Sequence, residues 1–344
     1  MKQATTGYAA LERGGPIVPF SFDRRALRPH DVALEIHYCG VCHTDLHSIG
    51  KWGQEFPLVP GHEIAGVVRE VGSEVSAFAP GDAALIGTIV DACRTCEACL
   101  AGQETYCRAF PTVTFDGVDR VDGTRTRGGY SSAYVADERF VYKLPAGMDL
   151  AASAPLLCAG ITMYSPLRHW KVGPGSTVGV VGIGGLGHLG IKIARALGAH
   201  VIAFTTSAAK LDAAGALGAH EVVNSRDPAQ MERQAFRCDF ILDTVAVTYP
   251  MDAMLRAVKR EGTLCTVGLP DRLEFSPMTL AMGRRSLASS GSGGTVETRE
   301  MLEFCRAHGI AADIEIVRPG QIAQAFERLE RGDVRYRFVL DLRR

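Results

Sequence analysis

Residues Thr177–Ala199 read TVGVVGIGGLGHLGIKIARALGA: a β-branched run, then Gly182-x-Gly184-x-x-Gly187, then an apolar-periodic stretch that opens a helix. In such a turn Gly182 permits the tight reversal, Gly184 lets backbone approach a pyrophosphate, and Gly187 lets the helix pack on the strand, while the helix N-terminus turns N–H groups toward the anion. Glycines alone serve as turns in many chains. The strand before and the helix after make a dinucleotide the expected ligand.

Outward from this turn the pattern alternates. A strand at Val178–Val181, a helix near His188–Leu197, a strand at Val201–Thr205, a helix near Ala208–Leu217 and strands at Phe240–Asp243 and Thr263–Val267 predict a parallel sheet covered by helices. The second strand ends Phe204-Thr205-Thr206-Ser207-Ala208-Ala209-Lys210, where an NAD site usually offers an Asp or Glu to the ribose 2′-hydroxyl. No acid is present. Small hydroxyls leave room for a 2′-phosphate and Lys210 can supply a counter-charge, which favours NADP; the competing reading is a lysine that solvates the start of a helix.

On either side the character changes. From about Asp31 to Leu144 the apolar runs are short and β-like (VALEI, IAGVV, AALIG, FVYKL), broken by Ala79-Pro80-Gly81-Asp82 and by the Gly- and Arg-rich Asp116 to Gly129 segment. After about Thr298 come two helical patterns, Arg299–His308 and Gln321–Glu330, then the strand-like Arg335–Asp341, closer in character to the first section than to the second. No internal repeat beyond this alternation and no low-complexity tract stands out.

A length of 344 residues suggests about two domains, and 47% apolar residues permits sizeable cores. Lys plus Arg total 37 against 38 Asp plus Glu, so the field that gathers nucleic acid or an anionic membrane is absent and small-molecule partners are expected. The opening MKQATTGYAALERGG lacks a secretory core, and no segment reaches the roughly 18 apolar residues of a membrane helix. The expectation is a cytoplasmic protein.

Ten cysteines in such a chain point to metal. Cys93, Cys96, Cys99 and Cys107 have the Cys-x2-Cys-x2-Cys-x7-Cys spacing that closes a tetrahedral all-thiolate zinc site, which holds a loop and has no open position for chemistry. A catalytic metal must therefore lie elsewhere. Candidates are Cys39-Gly-Val-Cys-His-Thr-Asp-Leu-His47, Pro60-Gly-His-Glu63 and Leu156-Leu-Cys-Ala-Gly160. Taken singly, a Cys in an apolar run is more often core, and Gly-His-Glu more often a turn with a surface histidine. Cys39, Cys238, Cys265 and Cys305 read as ordinary buried residues.

In combination, CGVCHTDLH, VPGHE, the four-cysteine segment, PLLCAGITMYSPL, GVVGIGGLGHLG and the closing GDVRYRFVLD resemble the zinc-dependent medium-chain alcohol dehydrogenases, in particular the cinnamyl-alcohol-dehydrogenase-like, NADP-dependent aldehyde reductases. The resemblance spans nearly the whole chain. It implies an α/β protein: a GroES-like β-barrel catalytic domain from both chain ends (1–155, with a structural zinc lobe at about 91–108, and 295–344) and a Rossmann cofactor domain between them (156–294), the active site lying in the cleft. It implies two zinc ions per chain, one catalytic on Cys42, His62 and Cys158, the other structural in the lobe, with NADP(H) and a homodimer.

By the same resemblance Thr44 bonds the substrate oxygen and begins a proton relay to His47, Asp45 orients the His62 ring, and Glu63 is a transient metal ligand. Read alone, Thr44 is a satisfied hydroxyl, His47 a surface histidine and Glu63 a solvated or capping acid. His43 stands as a pyrophosphate contact, and Gly185, Leu186, Thr244, Val267 and Gly268 complete the cofactor site. Trp52, Ile89, Phe115 and Leu269 are the apolar pocket walls. Relatives tend to carry a bulky apolar pair where this chain has Gly291 and Ser292; the change either widens the pocket or makes a flexible hinge. The reaction implied is reversible alcohol/aldehyde interconversion, mainly reduction of aromatic or medium-length aldehydes. The rivals are a related zinc reductase of polyols, imines or conjugated carbonyls, and a non-catalytic NADPH-binding regulator.

Overall fold

In the computed structural model, which describes residues 3–343, the run ahead of the glycine turn is a strand, Thr177–Val181, buried along nearly its whole length. A sheet covered on both faces requires such a strand. Six parallel strands lie in the order Glu221–Asn224, His200–Thr205, Thr177–Val181, Cys238–Asp243, Val258–Thr266, Ser286–Ser289. Numbered along the chain this is 3-2-1-4-5-6, the doubly wound order that reverses beside its first strand, where the glycine turn sits. The two outermost strands, EVVN and SLAS, escaped the sequence reading. The expected helix near Ala208–Leu217 is a short 3-10 turn, Ala208–Lys210, followed by a helix at Leu211–Ala216. This sheet and its helices form one unit, Ala159–Ser292.

The second unit joins the chain up to Cys158 to the chain from Gly293 onward. Its main sheet runs Ile314–Val317, Arg337–Asp341, Asp31–Gly40, Ile64–Val71, Ala83–Ile86, Val141–Lys143, with Ala133–Asp137 also paired to Asp31–Gly40. The last strand lies antiparallel to Asp31–Gly40, with Leu340 opposite Cys39, so the two chain ends share one core of Leu34, Ile36, Ile64, Ile86, Tyr130 and Phe338. A hairpin of Gln3–Ala10 and Ile17–Arg24 precedes it. The two-part α/β architecture implied by the sequence is the one observed. Cys39, Cys238, Cys265 and Cys305 are all buried. Among the described residues no single helix is long and apolar enough to cross a membrane.

The helix expected at Arg299–His308 begins four residues earlier, spanning Thr295–Ala307. The reason is tertiary. Buried Glu104 accepts from the Thr295 N–H (2.9 Å) and hydroxyl (3.0 Å), so a carboxylate from the cysteine lobe caps this helix start, where a negative charge is favoured.

Candidate functional site

Strand pairing assembles a first donor group. Cys39 lies opposite Ile64, which brings the end of one strand beside the start of the next. Cys42 follows the first strand as N-cap of the helix His43–His47, His62 and Glu63 precede the second, and Cys158 follows the 3-10 turn Ala154–Leu157. One donor atom from each of Cys42, His62, Glu63 and Cys158 lies within 4.8 Å of all the others.

The chemistry of this set fits a soft divalent cation. The Cys42 thiol is held well below its ordinary value by hydrogen bonding from Cys158 and His62, against burial, while the Cys158 thiol is pushed well up by the same bond and by burial. Burial opposes charge on His62, but Asp45 and Cys42 raise it well above the usual range. Buried donors that compete for protons in this way are relieved by a bound metal, which lets both thiolates form.

Asp45 is fully buried and organises the group. Its Oδ2 accepts from the Cys42 N–H (2.9 Å) and the Tyr130 hydroxyl (3.2 Å), its Oδ1 from the Gly61 N–H (3.0 Å). Oδ1 also faces His62 Nδ1 at 3.4 Å, close but without an aligned hydrogen bond, and Nδ1 has no other partner. The Thr44 hydroxyl lies 3.6 Å from the Cys42 sulfur. His47, on the same helix, is partly exposed, and its ring meets Trp52 at 4.7 Å. Phe115 is buried with its ring 5.7 Å from that of His62.

Besides Tyr130, one residue at this site carries no role in the sequence reading. Arg337, buried on the closing strand, donates through Nη2 to Glu63 Oε1, while Glu63 Oε2 has no hydrogen-bond partner. Burial pushes the Glu63 carboxyl up to about 7 against the pull of Arg337. The signal was present as an arginine in a strand, RFVLD, that is otherwise buried and apolar until its final aspartate. Removing one partner strands a buried charge, so Arg337→Met is expected to cost about 3–5 kcal/mol, read as a lower denaturant midpoint at unchanged slope.

The second donor group is the cysteine lobe. Donor atoms of Cys93, Cys96, Cys99 and Cys107 lie within 4.8 Å of one another, with Cys93 and Cys99 sulfurs 3.8 Å apart. Zinc–sulfur bonds of about 2.3 Å place tetrahedral ligands about 3.8 Å apart. Main-chain N–H groups point at sulfur, Cys93 N to Cys107 and Cys96 N to Cys93, each 3.4 Å. The amide and hydroxyl of Thr95, then the amide of Cys96, bring the Cys93 thiol down to about 5. Ile89 packs in the lobe core with Phe140, Cys99 and Cys107, because its strand Ile89–Asp91 leads straight into the cysteine run.

In the parallel unit, Gly182 adopts φ of +85°, and a side chain at Gly187 would strike the Gly182 carbonyl, whereas one at Gly184 would meet open space. That space is where a pyrophosphate would approach. Gly185 and Leu186 form the turn into the helix Gly187–Ala196. Thr244 donates to the Val181 carbonyl (2.7 Å), and the Val267 and Gly268 N–H groups reach the Asp243 carbonyl (2.8 and 3.1 Å), so these residues gather at carboxyl ends of neighbouring strands. Thr205 is buried at its strand end, its hydroxyl accepting from the Ser207 N–H (3.1 Å), while Thr206 is exposed and Lys210 partly so. Leu269 is exposed, and Gly291 and Ser292 end this unit.

Residues 28–146 match the family model "Alcohol dehydrogenase GroES-like domain" and residues 185–307 match "Zinc-binding dehydrogenase". Aldehyde reductase YahK of Escherichia coli (strain K12) is 52% identical, over 99% of this chain and 98% of its own length. The chain belongs to the zinc-dependent medium-chain alcohol dehydrogenases, in their cinnamyl-alcohol-dehydrogenase-like group. Other members of that family are similar over comparable lengths. NADP-dependent alcohol dehydrogenase C 1 of Mycolicibacterium smegmatis is 46% identical, over 98% of this chain and 97% of its own. A cinnamyl alcohol dehydrogenase structure from Sorghum bicolor superposes with a TM-score of 0.95 at 42% identity, covering 98% of each chain.

Proposed function

We propose that the chain interconverts alcohols and aldehydes with zinc and NADP(H), working mainly as an NADPH-dependent reductase of aromatic and medium-length aldehydes. The observation that carries this reading is the contrast between the two donor groups: the lobe offers four thiols, the set that suits a closed structural site, while the second group joins Cys42, His62 and Cys158 to the carboxylate of Glu63, a weaker ligand that can give its place to substrate. The printed activities of the relatives, an aldehyde reductase and an NADP-dependent alcohol dehydrogenase, support it.

When bound by Cys42, His62 and Cys158, zinc supplies Lewis-acid polarisation of a carbonyl, and NADPH supplies the hydride. The Thr44 hydroxyl donates to the substrate oxygen, and His47, partly exposed, passes the proton between the site and solvent. Asp45 aims the His62 ring. Glu63, with one oxygen free of hydrogen bonds, serves as an exchangeable ligand. His43 at the exposed start of the helix contacts the pyrophosphate. A homodimer belongs to the same reading: the outermost strand Ser286–Ser289 leaves one sheet edge open to a second copy.

The test is a panel of aldehydes, alcohols, polyols, imines and conjugated carbonyls, assayed with both cofactors before and after chelation. Zinc-dependent oxidation of NADPH with cinnamaldehyde or benzaldehyde is expected, and no zinc-dependent turnover of any aldehyde would sink the proposal. For the cofactor, Lys210→Ala is expected to raise the NADPH KM about tenfold, the loss of one charge-assisted hydrogen bond, and to leave NADH unaffected. Equal use of NADH and NADPH by the unaltered enzyme would overturn the NADP assignment.

A further inference from the structure

We propose that Tyr130 is a positioning residue for the metal ligand His62, acting through the carboxylate of Asp45. This rests on the reading of Cys42, His62 and Cys158 as a zinc site. Asp45 is fully buried, and a buried carboxylate needs donors on both oxygens. Two of its three donors are main-chain N–H groups of Cys42 and Gly61, residues that belong to or adjoin the ligands themselves and so move with them. The third, the Tyr130 hydroxyl, comes from a separate segment. It fixes Oδ2, and with Oδ2 fixed the carboxylate cannot rotate Oδ1 away from His62 Nδ1.

Tyr130 is itself held on every side. Its N–H donates to the Pro60 carbonyl (3.0 Å) and its carbonyl accepts from Tyr8 (2.8 Å), while the Gly129 N–H reaches the Gly61 carbonyl (2.8 Å). The segment bearing the hydroxyl is thus stitched to the two residues that precede His62. From the N-terminal hairpin, buried Arg24 latches the same segment through the Arg127 carbonyl, the Gly128 carbonyl (2.8 Å), the Ala133 carbonyl (2.9 Å) and the Ser131 hydroxyl (2.9 Å). The Tyr130 ring is fully buried and meets Phe326 at 6.4 Å. A hydroxyl so constrained has one orientation toward Asp45, and a partner that orients a metal ligand changes how tightly the metal is held.

Tyr130→Phe keeps the ring and deletes the oxygen. Zinc release from the loaded enzyme into an excess of chelator, followed with a colorimetric indicator, should show two phases, one absent in Cys42→Ser and the other absent in Cys107→Ser. In Tyr130→Phe the phase that depends on Cys42 is expected to accelerate about tenfold, at the lower end of effects seen for outer partners of ligands, with the lobe phase unchanged. The acceleration should vanish in an Asp45→Asn background. An unchanged Cys42-dependent phase, equal acceleration of both phases, or persistence of the effect without the Asp45 carboxylate would each overturn the proposal. An unaltered enzyme that releases zinc only from the lobe would overturn the zinc reading beneath it as well.

Discussion

Cys42→Ser is expected to reduce turnover by about three orders of magnitude or more while leaving NADPH binding unchanged. Lewis-acid stabilisation supplies several kcal/mol to a carbonyl reduction, and each 1.4 kcal/mol is a factor of ten. The sulfur of Cys42 is within 4.8 Å of the other donors, and its backbone N–H is the anchor for Asp45. A serine preserves that N–H, so the variant loses a soft ligand and little else. The glycine turn at Gly182–Gly187 belongs to the other unit, and fluorescence titration of NADPH should therefore return the unaltered affinity. Metal analysis should find about one zinc per chain. Loss of NADPH binding together with turnover would show that Cys42 serves folding instead.

The second large effect falls on stability. Cys107→Ser opens the four-sulfur lobe and is expected to lower the unfolding temperature by about 6–20 °C, with catalytic turnover at low temperature nearly intact. Structural zinc contributes directly to folding, about 10 kcal/mol or more in isolated zinc-finger peptides. The lobe shares that burden with its own apolar core of Ile89, Ala92 and Phe140, so a loss of about 3–5 kcal/mol is the expectation, about 2–4 °C for each kcal/mol in a unit of this size. The damage should reach beyond the loop, since Glu104 in the same lobe caps the helix Thr295–Ala307. Calorimetry combined with zinc analysis checks both. If turnover disappears at temperatures where the fold is intact, the lobe has a part in the chemistry.

These two variants also mark what the sequence could and could not disclose. The lobe was legible because its four ligands lie in a single short run, where spacing alone limits the geometry. The glycine turn was legible because strand, turn and helix are consecutive. Cys42, His62 and Cys158 are each unremarkable locally, and they converge through pairings such as Cys39 with Ile64 and through the turn Ala154–Leu157, which no spacing rule encodes. They were found by resemblance. Arg337 and Tyr130 were missed for a related reason: each reaches the site across a long separation in the chain, and an arginine in a strand or a tyrosine after a glycine-rich loop has many duller uses. Outer strands failed differently. EVVN and SLAS are four residues long, and SLAS carries serine at both ends, so their β structure is imposed by the neighbouring strand. The N-terminal strand Gln3–Ala10, reading QATTGYAA, is likewise set by its partner Ile17–Arg24.

The pairing of Arg337–Asp341 with Asp31–Gly40 also sets an order of events as the chain leaves the ribosome, amino end first. The parallel unit is continuous in sequence and can finish as soon as Ser292 has emerged. The unit that begins first must finish last. Cys42, His62 and Cys158 are all synthesised early, yet Glu63 receives its counter-ion only when Arg337 arrives. A chain cut short before the closing strand would hold every expected zinc ligand and still carry an uncompensated acid in an unfinished sheet, so nascent or truncated forms should be ready substrates for proteolysis.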